Sequence, residues 1–95
     1  MAAYLVARIT ITNPDQFSKY SKAVPRVIAR YGGRYLARTP DTQALEGEYD
    51  GRRLVMLEFP SVEAVHRFWQ SPEYAEVKKL RVDAADLEAW AVPGV

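Results

Sequence analysis

The sequence contains no cysteine and only one histidine, His66. Without cysteine the chain forms no disulfide, has no thiol nucleophile and offers no thiolate ligand to zinc, a composition typical of cytoplasmic proteins. A single histidine leaves no recognisable spacing of metal ligands, so we expect neither a metal nor another cofactor. No second histidine stands near His66, and we expect it to be a half-exposed residue at the rim of a helix.

Long apolar segments and an excess of charge of one sign are also missing. No apolar run approaches the roughly 20 residues that cross a bilayer, and the first residues lack the pattern of a secretory signal. The 13 basic and 12 acidic residues are interspersed and leave a net charge of +1, so no basic patch suits nucleic acid. We therefore expect a cytoplasmic protein with neither a membrane nor nucleic acid as a partner.

What is present is the composition of a small globular protein. The 95 residues are 48% hydrophobic and 26% charged, which is close to the average of folded proteins. Neither repeats nor low-complexity segments divide the chain. At this length we expect a single domain over residues 1–95.

The first third of the chain predicts a strand and a helix. Residues 3–11 alternate between two sets of side chains, as a strand does. Asn13 is placed to cap a helix that begins at Pro14, and Gln16 would complete a capping box. Apolar residues then recur every three or four positions until two glycines end the helix. Pro25 lies inside this helix and is expected to kink or split it.

The remaining strands are predicted from short apolar or alternating runs. Residues 34–39 and 43–49 indicate one interrupted strand or two short ones, and the Asp-Gly pair within 49–53 is a hairpin signal. Residues 54–59 are almost continuously apolar, which predicts another strand. Residues 87–93 alternate again and predict the last strand.

Two serines mark the starts of two further helices. Ser61 and Ser71 each stand where an N-cap is expected, and Pro72 takes the first helical position after Ser71. Neither serine has a base beside it, so we interpret both as caps and not as nucleophiles.

The order strand, helix, strand, strand, helix pair, strand is typical of the ferredoxin-like βαββαβ fold. Right-handed crossovers place its helices on one face of a four-stranded antiparallel sheet, which is an α+β architecture. By alternation the opposite face carries Tyr4, Val6, Arg8, Leu36, Met56, Glu58 and Trp90. This face is half apolar and nothing else in the chain covers it, so we expect a homodimer in which two sheets face each other.

Several short segments resemble a known family. They are Tyr31-Gly32-Gly33 with Tyr35, Glu46-Gly47, Glu58-Phe59-Pro60-Ser61, Ser71-Pro72-Glu73-Tyr74, and Arg81. Together, over residues 3–94, the chain resembles the family called domain of unknown function 1330, in the dimeric α/β barrel superfamily. The resemblance implies the same face-to-face dimer and brings no established reaction.

Relatives across that superfamily include small isomerases, cofactor-free oxygenases, haem-degrading monooxygenases and members with no known chemistry. The fold alone does not choose among them. The haem-degrading enzymes are a poor match, because the last helix here has no histidine to bind iron.

The first candidates for chemistry are charges on the inward sheet face. Arg8 and Glu58 alternate into it, and an unpaired buried charge is costly. One interpretation is therefore an ion pair that sets the register of the dimer. The other is a site in which Arg8 binds an anionic or carbonyl group while Glu58 or Tyr4 handles a proton. Other charges placed near them are Arg34, Arg38 and Glu88.

A second set of candidates for ligand binding consists of Tyr20, Tyr31, Arg81 and Trp90. Tyr20, Tyr31 and Arg81 are placed to reach a cleft between the helices and the sheet edge. Core packing or a salt bridge is the favoured interpretation of these three residues.

Two classes of function follow. In the first, the dimer binds or converts a small polar or aromatic metabolite in a cavity of the barrel or in a cleft. In the second, it is a non-catalytic dimeric module whose inner charges only set assembly. The residues leave open whether the protein is an enzyme.

Overall fold

The computed structural model describes residues 1–95 and contains four strands and three helices. Their bounds are β1 Ala3–Ile11, α1 Pro14–Arg30, β2 Arg34–Thr39, β3 Arg53–Phe59, α2 Val62–Trp69, α3 Pro72–Lys78 and β4 Ala85–Pro93, with a 3-10 turn at Lys79–Arg81. The strands form one antiparallel sheet in the order β2-β3-β1-β4. This arrangement confirms the predicted ferredoxin-like α+β fold. None of its helices has the length and apolar character needed to cross a bilayer.

β1 is the central strand, paired with β3 on one side and with β4 on the other. Its buried side chains on the helix-facing side are Ala3, Leu5, Ala7 and Ile9. A slip of one residue in either pairing would turn this whole set to the opposite face, so burial specifies the register. β3 and β4 begin slightly earlier than predicted, because Arg53 pairs with Ile9 and Ala85 pairs with Ile11.

The helices bury one side each against the same face of the sheet. Their buried residues are Phe17, Tyr20, Val24, Val27 and Ile28 of α1, Ala64, Val65 and Phe68 of α2, and Tyr74 of α3. Phe68 links the layers, because its ring centroid lies 5.4 Å from that of Phe59 in β3 and 4.6 Å from that of Tyr74. The core therefore lies on one side of the sheet, and no element of the chain covers the other side.

α1 runs without interruption from Pro14 to Arg30, so the predicted split at Pro25 does not occur. Proline removes one backbone hydrogen bond from a helix interior. Buried Val24 and Val27 stand on either side of it, and both pack into the same core. Burial of one continuous apolar stripe holds the two halves of the helix together.

The N-terminus of α1 is capped in a simpler way than predicted. The side-chain oxygen of Asn13 accepts a hydrogen bond from the backbone N–H of Gln16 at 3.2 Å, which confirms the cap. The Gln16 amide does not return to Asn13. It donates instead to the backbone carbonyl of Leu80 at 3.0 Å, so the capping box is absent and Gln16 ties α1 to the 3-10 turn.

Residues 40–52 form a long loop between β2 and β3, so the strand predicted over 43–49 is wrong. Side chains 43–48 are all exposed, and Leu45 is 99% exposed. Apolar and polar side chains alternate in this segment, but neither side of it packs on the core, and no strand pairs with it. Gly51 has a positive φ of 81°, but residues 50–51 lie within the 40–52 loop and do not form the predicted hairpin turn between two strands.

Both predicted serine caps are present. Ser61 Oγ accepts from the backbone N–H of Ala64 at 3.1 Å, and Ser71 Oγ accepts from that of Tyr74 at 3.0 Å. Ser71 is buried, and its hydroxyl also donates to the carbonyl of Phe68 at 2.8 Å. Ser71 thus closes the end of α2 and the start of α3 with one side chain.

Replacing either serine with alanine is expected to destabilise the fold by about 0.5–2 kcal/mol, the usual cost of losing an N-cap. Ser71→Ala should be the costlier change, because it leaves buried backbone groups unpaired, whereas water can reach the half-buried Ser61. Urea unfolding of the two variants beside the parent protein measures the difference. Equal losses, or a larger loss for Ser61→Ala, would contradict this account of Ser71.

Candidate functional site

The side of the sheet that faces away from the helices is called here the open sheet face. Across its middle runs an apolar row in which Val6 pairs with Met56 on one side and Trp90 on the other. Trp90 is 44% exposed, although tryptophan usually buries most of its surface. Leu36, expected on the same face, lies at a register shift between β2 and β3 and is 42% exposed.

At one end of the open sheet face, Arg8 takes part in a four-membered charge network. Its guanidinium lies 3.3 Å from Asp50 Oδ2 and 3.5 Å from Glu88 Oε1. Arg52 forms an ion pair with the same Glu88 carboxylate. The Arg8 guanidinium also lies 5.3 Å from the centroid of the Trp90 ring, a cation–π geometry. Two arginines and two carboxylates thus neutralise one another within a single chain.

Glu58 lies at the other end of this face and forms a separate pair. Its carboxylate is 2.7 Å from Arg34 Nε. In the β1–β3 register Glu58 is opposite Tyr4, whereas Arg8 is opposite Leu54. Four residues along a strand span about 13 Å, so Arg8 and Glu58 do not contact each other. Of the other charges expected nearby, Arg34 and Glu88 are on this face, whereas Arg38 pairs with Val55 on the helix-facing side.

Asp50 and Arg52 are members of the charge network of Arg8 that the sequence pattern does not predict. Both belong to the loop that had been interpreted as a strand and a tight hairpin, so no alternation rule placed them on a face. Arg52 is held by its own neighbours, because its backbone N–H donates to Asp50 Oδ1 at 3.1 Å and its carbonyl accepts from the Tyr49 hydroxyl at 2.8 Å. These local hydrogen bonds fix the position of the end of the loop, next to Arg8.

A second site lies on the helix-facing side, between α1 and the sheet, and is called here the α1 cleft. It encloses about 60 Å³ and reaches solvent at Arg38, the exposed residue of its lining. Fourteen of its 17 lining residues are hydrophobic, and half-buried Tyr35 and Trp69 are among them. The three others are Ser21, Arg38 and Arg53, so no acidic side chain lines the cleft. An apolar interior with a few polar groups is the usual composition of a small-molecule site.

Two tyrosine hydroxyls meet in the wall of the α1 cleft. The hydroxyls of Tyr20 and Tyr74 are 2.9 Å apart and buried, and one donates to the other. Burial, with a smaller contribution from Tyr74, raises the pKa of Tyr20 far above its ordinary value. Tyr20 therefore stays protonated at physiological pH. It serves as a hydrogen-bond donor or acceptor and not as a phenolate base.

The remaining candidates from the sequence are dispersed. The Arg81 guanidinium lies 5.7 Å from the Tyr20 ring centroid and does not line the cleft. The Tyr31 hydroxyl donates a hydrogen bond to the Glu73 carboxylate at 2.8 Å, and Glu73 also forms an ion pair with Arg30. The Tyr31 hydrogen bond lowers the pKa of Glu73 and raises that of Tyr31 itself. Trp90 lies on the open sheet face. The structure therefore brings only Tyr20, among these candidates, into the α1 cleft.

His66 is exposed on α2, at the side of a groove against β4. No group of three or more histidine, cysteine, aspartate or glutamate side chains is arranged to hold a metal ion. In the α1 cleft, the tyrosine hydroxyls offer hydrogen bonds and the two arginines offer anion binding.

The fold class is shared with many solved structures. A protein of unknown function from Rhodopseudomonas palustris superposes with a TM-score of 0.72 at 21% identity, covering 99% of this chain and 82% of its own. SnoaB, a cofactor-independent oxygenase from Streptomyces nogalater, gives 0.71 at 16% identity, covering 99% and 93%. A dimeric ferredoxin-like protein of unknown function from Thermobifida fusca gives 0.67 at 16% identity, covering 99% and 92%. These likenesses establish the fold and no activity.

The family itself is identified by sequence. The model of the family described as Domain of unknown function (DUF1330) matches residues 2–95, and the chain belongs to that family. This confirms the resemblance seen in the short segments. Comparison with curated proteins gave no significant match.

Because the folded chain holds Tyr20 protonated, stability is expected to fall as the pH rises above about 10. There the unfolded chain ionises this tyrosine while the folded chain does not, so the unfolded state binds fewer protons. Ionisation of this one tyrosine in the unfolded chain lowers the free energy of unfolding by about 1.4 kcal/mol per pH unit. Tyr20→Phe should make the decline shallower, as measured by urea unfolding between pH 8 and 11.5. A slope unchanged in the variant would contradict the burial of an ionisable Tyr20.

Proposed function

We propose that this protein is a homodimer in which each subunit binds a small aromatic or apolar metabolite with a polar head group in the α1 cleft. The observation that carries the proposal is the composition of the cleft wall, which is hydrophobic except for one serine and two arginines. On the open sheet face, by contrast, Arg8 and Glu58 already have partners within the chain.

The homodimer part of the proposal rests on the uncovered side of the sheet. The row formed by Val6, Met56 and Trp90 has no covering element. Apolar patches of this kind on a small protein commonly mark an interface. Two solved structures with this fold, from Thermobifida fusca and Bacteroides fragilis, are described as dimeric ferredoxin-like proteins. A second copy of this chain is the natural partner for the open sheet face.

The volume of the α1 cleft limits how a ligand enters. Its 60 Å³ is less than half the volume of an apolar cavity of roughly 150 Å³ that binds benzene. A ligand must therefore displace side chains of the lining. Tyr35 and Trp69 are the aromatic lining residues that are only half buried, so they can move at less cost than the buried core. Binding by side-chain rearrangement is common at sites whose backbone changes little.

Binding is better supported than a particular reaction. The protonated Tyr20 hydroxyl can hold a carbonyl or hydroxyl group of a ligand, but it does not remove a proton at neutral pH. SnoaB is a cofactor-independent oxygenase with this fold at 16% identity, so the architecture is compatible with catalysis that needs no cofactor. That likeness extends to the fold and not to any residue's role.

A non-catalytic dimeric module is the second candidate function. The observation that favours it is the charge network on the open sheet face, where Arg8, Arg52, Asp50 and Glu88 form ion pairs with one another, although the buried Nε atoms of both arginines have no hydrogen-bond partner. In that case Arg8 and Glu58 orient the two sheets, and Tyr4 is only an interface residue. The alternative ligand site at Arg8, Glu58 and Tyr4 would require these pairs to open.

Met56→Asp is expected to convert the dimer to a less stable monomer. The substitution places an unpaired carboxylate in the middle of the apolar row, where desolvation costs several kcal/mol. Light scattering at micromolar concentration should give about twice 10.8 kDa for the parent and lower values for the variant. Ala75→Asp, on the exposed side of α3, adds the same charge and should leave the mass unchanged. A folded parent that stays monomeric would contradict the dimer.

The two tryptophans distinguish the two candidate sites, and because both also line the groove beside His66, a ligand in that groove would shift both signals. Trp69 lines the α1 cleft, whereas Trp90 lies on the open sheet face above Arg8. Their indole N–H signals can be assigned in proton–nitrogen NMR spectra with Trp69→Phe and Trp90→Phe. Titration with small aromatic and aliphatic acids and amides should shift the Trp69 signal first.

The same spectra distinguish the other outcomes. A shift confined to Trp90 would place the site on the open sheet face. No shift of either signal with any probe, from a protein that is dimeric by light scattering, would favour the non-catalytic module.

A further inference from the structure

We propose that the ligand of the α1 cleft carries an anionic head group, most simply a carboxylate, which Arg38 and Arg53 bind at the mouth of the cleft. The inference rests on the proposed binding function, because it names the class of molecule that the same cleft takes. It adds Arg53, and it assigns to the cleft Arg38, which had been expected on the inward sheet face.

Strand register brings the two arginines to one place. Arg38 of β2 pairs with Val55 of β3, and Arg53 is two residues before Val55 on the same strand. Residues in this diagonal relation lie about 7–8 Å apart on one side of a sheet. That side is the helix-facing one, since Arg53 is opposite buried Ile9. Both arginines belong to the lining of the α1 cleft.

Neither arginine has an acidic partner. The ion pairs of the chain involve Arg8, Arg30, Arg34, Arg52 and Lys79, and no carboxylate lies within 4.0 Å of Arg38 or Arg53. The cleft lining contains no acidic residue. Two positive charges therefore stand beside one apolar opening with nothing in the chain to neutralise them. Their mutual repulsion is relieved by an anion between them.

Arg38 is also partly positioned in advance. Its guanidinium lies over the ring of Tyr35, 4.7 Å from the centroid. This cation–π contact restrains the guanidinium, and the N–H groups of an arginine match a carboxylate in a bidentate way. Arg53 is half buried, so a pairing with it is less screened by water than a pairing at the surface.

The apolar wall and the arginine pair together select an amphipathic anion. A carboxylate at the mouth places its hydrocarbon part toward Leu57, Val24 and the Tyr20–Tyr74 hydroxyl pair. A molecule without the charge would keep the apolar contacts and lose the ionic ones. A small inorganic anion would do the reverse. Short aromatic or aliphatic carboxylates satisfy both requirements.

The test compares acids with their own amides. Benzoate and benzamide, and likewise hexanoate and hexanamide, have nearly the same shape and differ in charge. We expect each acid to bind roughly 10- to 100-fold more tightly than its amide, as one or two charge-assisted hydrogen bonds allow. Affinity is read from the shift of the Trp69 indole signal in the parent protein.

Arg38→Gln and Arg53→Gln should each weaken binding of the acids by about tenfold or more and leave binding of the amides unchanged. Arg26→Gln is the matched control, because Arg26 is exposed on α1, forms no ion pair and does not line the cleft. It removes one positive charge from the protein and should change neither affinity. Thermal unfolding of all three variants verifies that the fold is retained.

Failure of this inference can be separated from failure of the proposed function. Acids and amides that bind the cleft equally, with no effect of either arginine variant, would overturn the anionic head group while the cleft remained a binding site. Absence of any Trp69 shift with all four probes would overturn the cleft and the inference together. An equal effect of Arg26→Gln would show that net charge, and not the arginine pair, governs binding.

Discussion

The helices pack on one face of the sheet only, and the other properties of this protein depend on that asymmetry. One face of β1 and β3 supplies the core with Leu5, Ile9, Leu57 and Phe59, which are all buried. The other face is left with an apolar row and a set of charges that need partners. A single layer of helices thus leaves two distinct surfaces, an internal cleft and an external face.

The arginines of the open sheet face are paired with carboxylates, whereas those of the α1 cleft are not. On the open sheet face, arginines and carboxylates form pairs, so the electric field they present to a ligand is small. In the α1 cleft, Arg38 and Arg53 remain without carboxylates beside an apolar wall. In the proposed dimer a second sheet covers the charges of the open sheet face, so they need partners within the chain, whereas charges at the mouth of the cleft keep their water. This contrast is the reason for preferring the cleft as the binding site.

The Tyr20–Tyr74 pair connects the fold to the cleft. Tyr74 is held between Phe68 and Trp69 by ring contacts at 4.6 and 5.0 Å, and its backbone N–H is bonded by Ser71. A helix cap, an aromatic cluster and a pair of hydroxyls therefore share the same residue. Serine caps thus contribute to the site indirectly, through the position of α3, and not through chemistry of their own.

Local patterns in the sequence were sufficient for most of the fold. Alternation in residues 3–11, the caps at Asn13, Ser61 and Ser71, and the order of elements each depend on neighbours within a few positions, and each was confirmed. Two predictions from local patterns, a break in α1 and a strand at residues 43–49, were wrong, and burial decides the outcome in both. Pro25 stays inside one helix because the apolar stripe is buried on both sides of it, and residues 43–49 form no strand because no core lies beneath them.

Side-chain alternation placed Arg8 and Glu58 on the same sheet face. The sequence could determine this face because the alternation of side chains between two faces is a property of each strand by itself. Only the tertiary structure decided how far apart Arg8 and Glu58 lie along their strands. It also decided that Asp50 and Arg52 of the loop contact the charges around Arg8. Finally, it placed Arg38 and Arg53 together in the lining of the cleft. Those relations depend on pairing register and on the path of a 40–52 loop. Both are set by contacts between residues far apart in the chain, which no local pattern encodes.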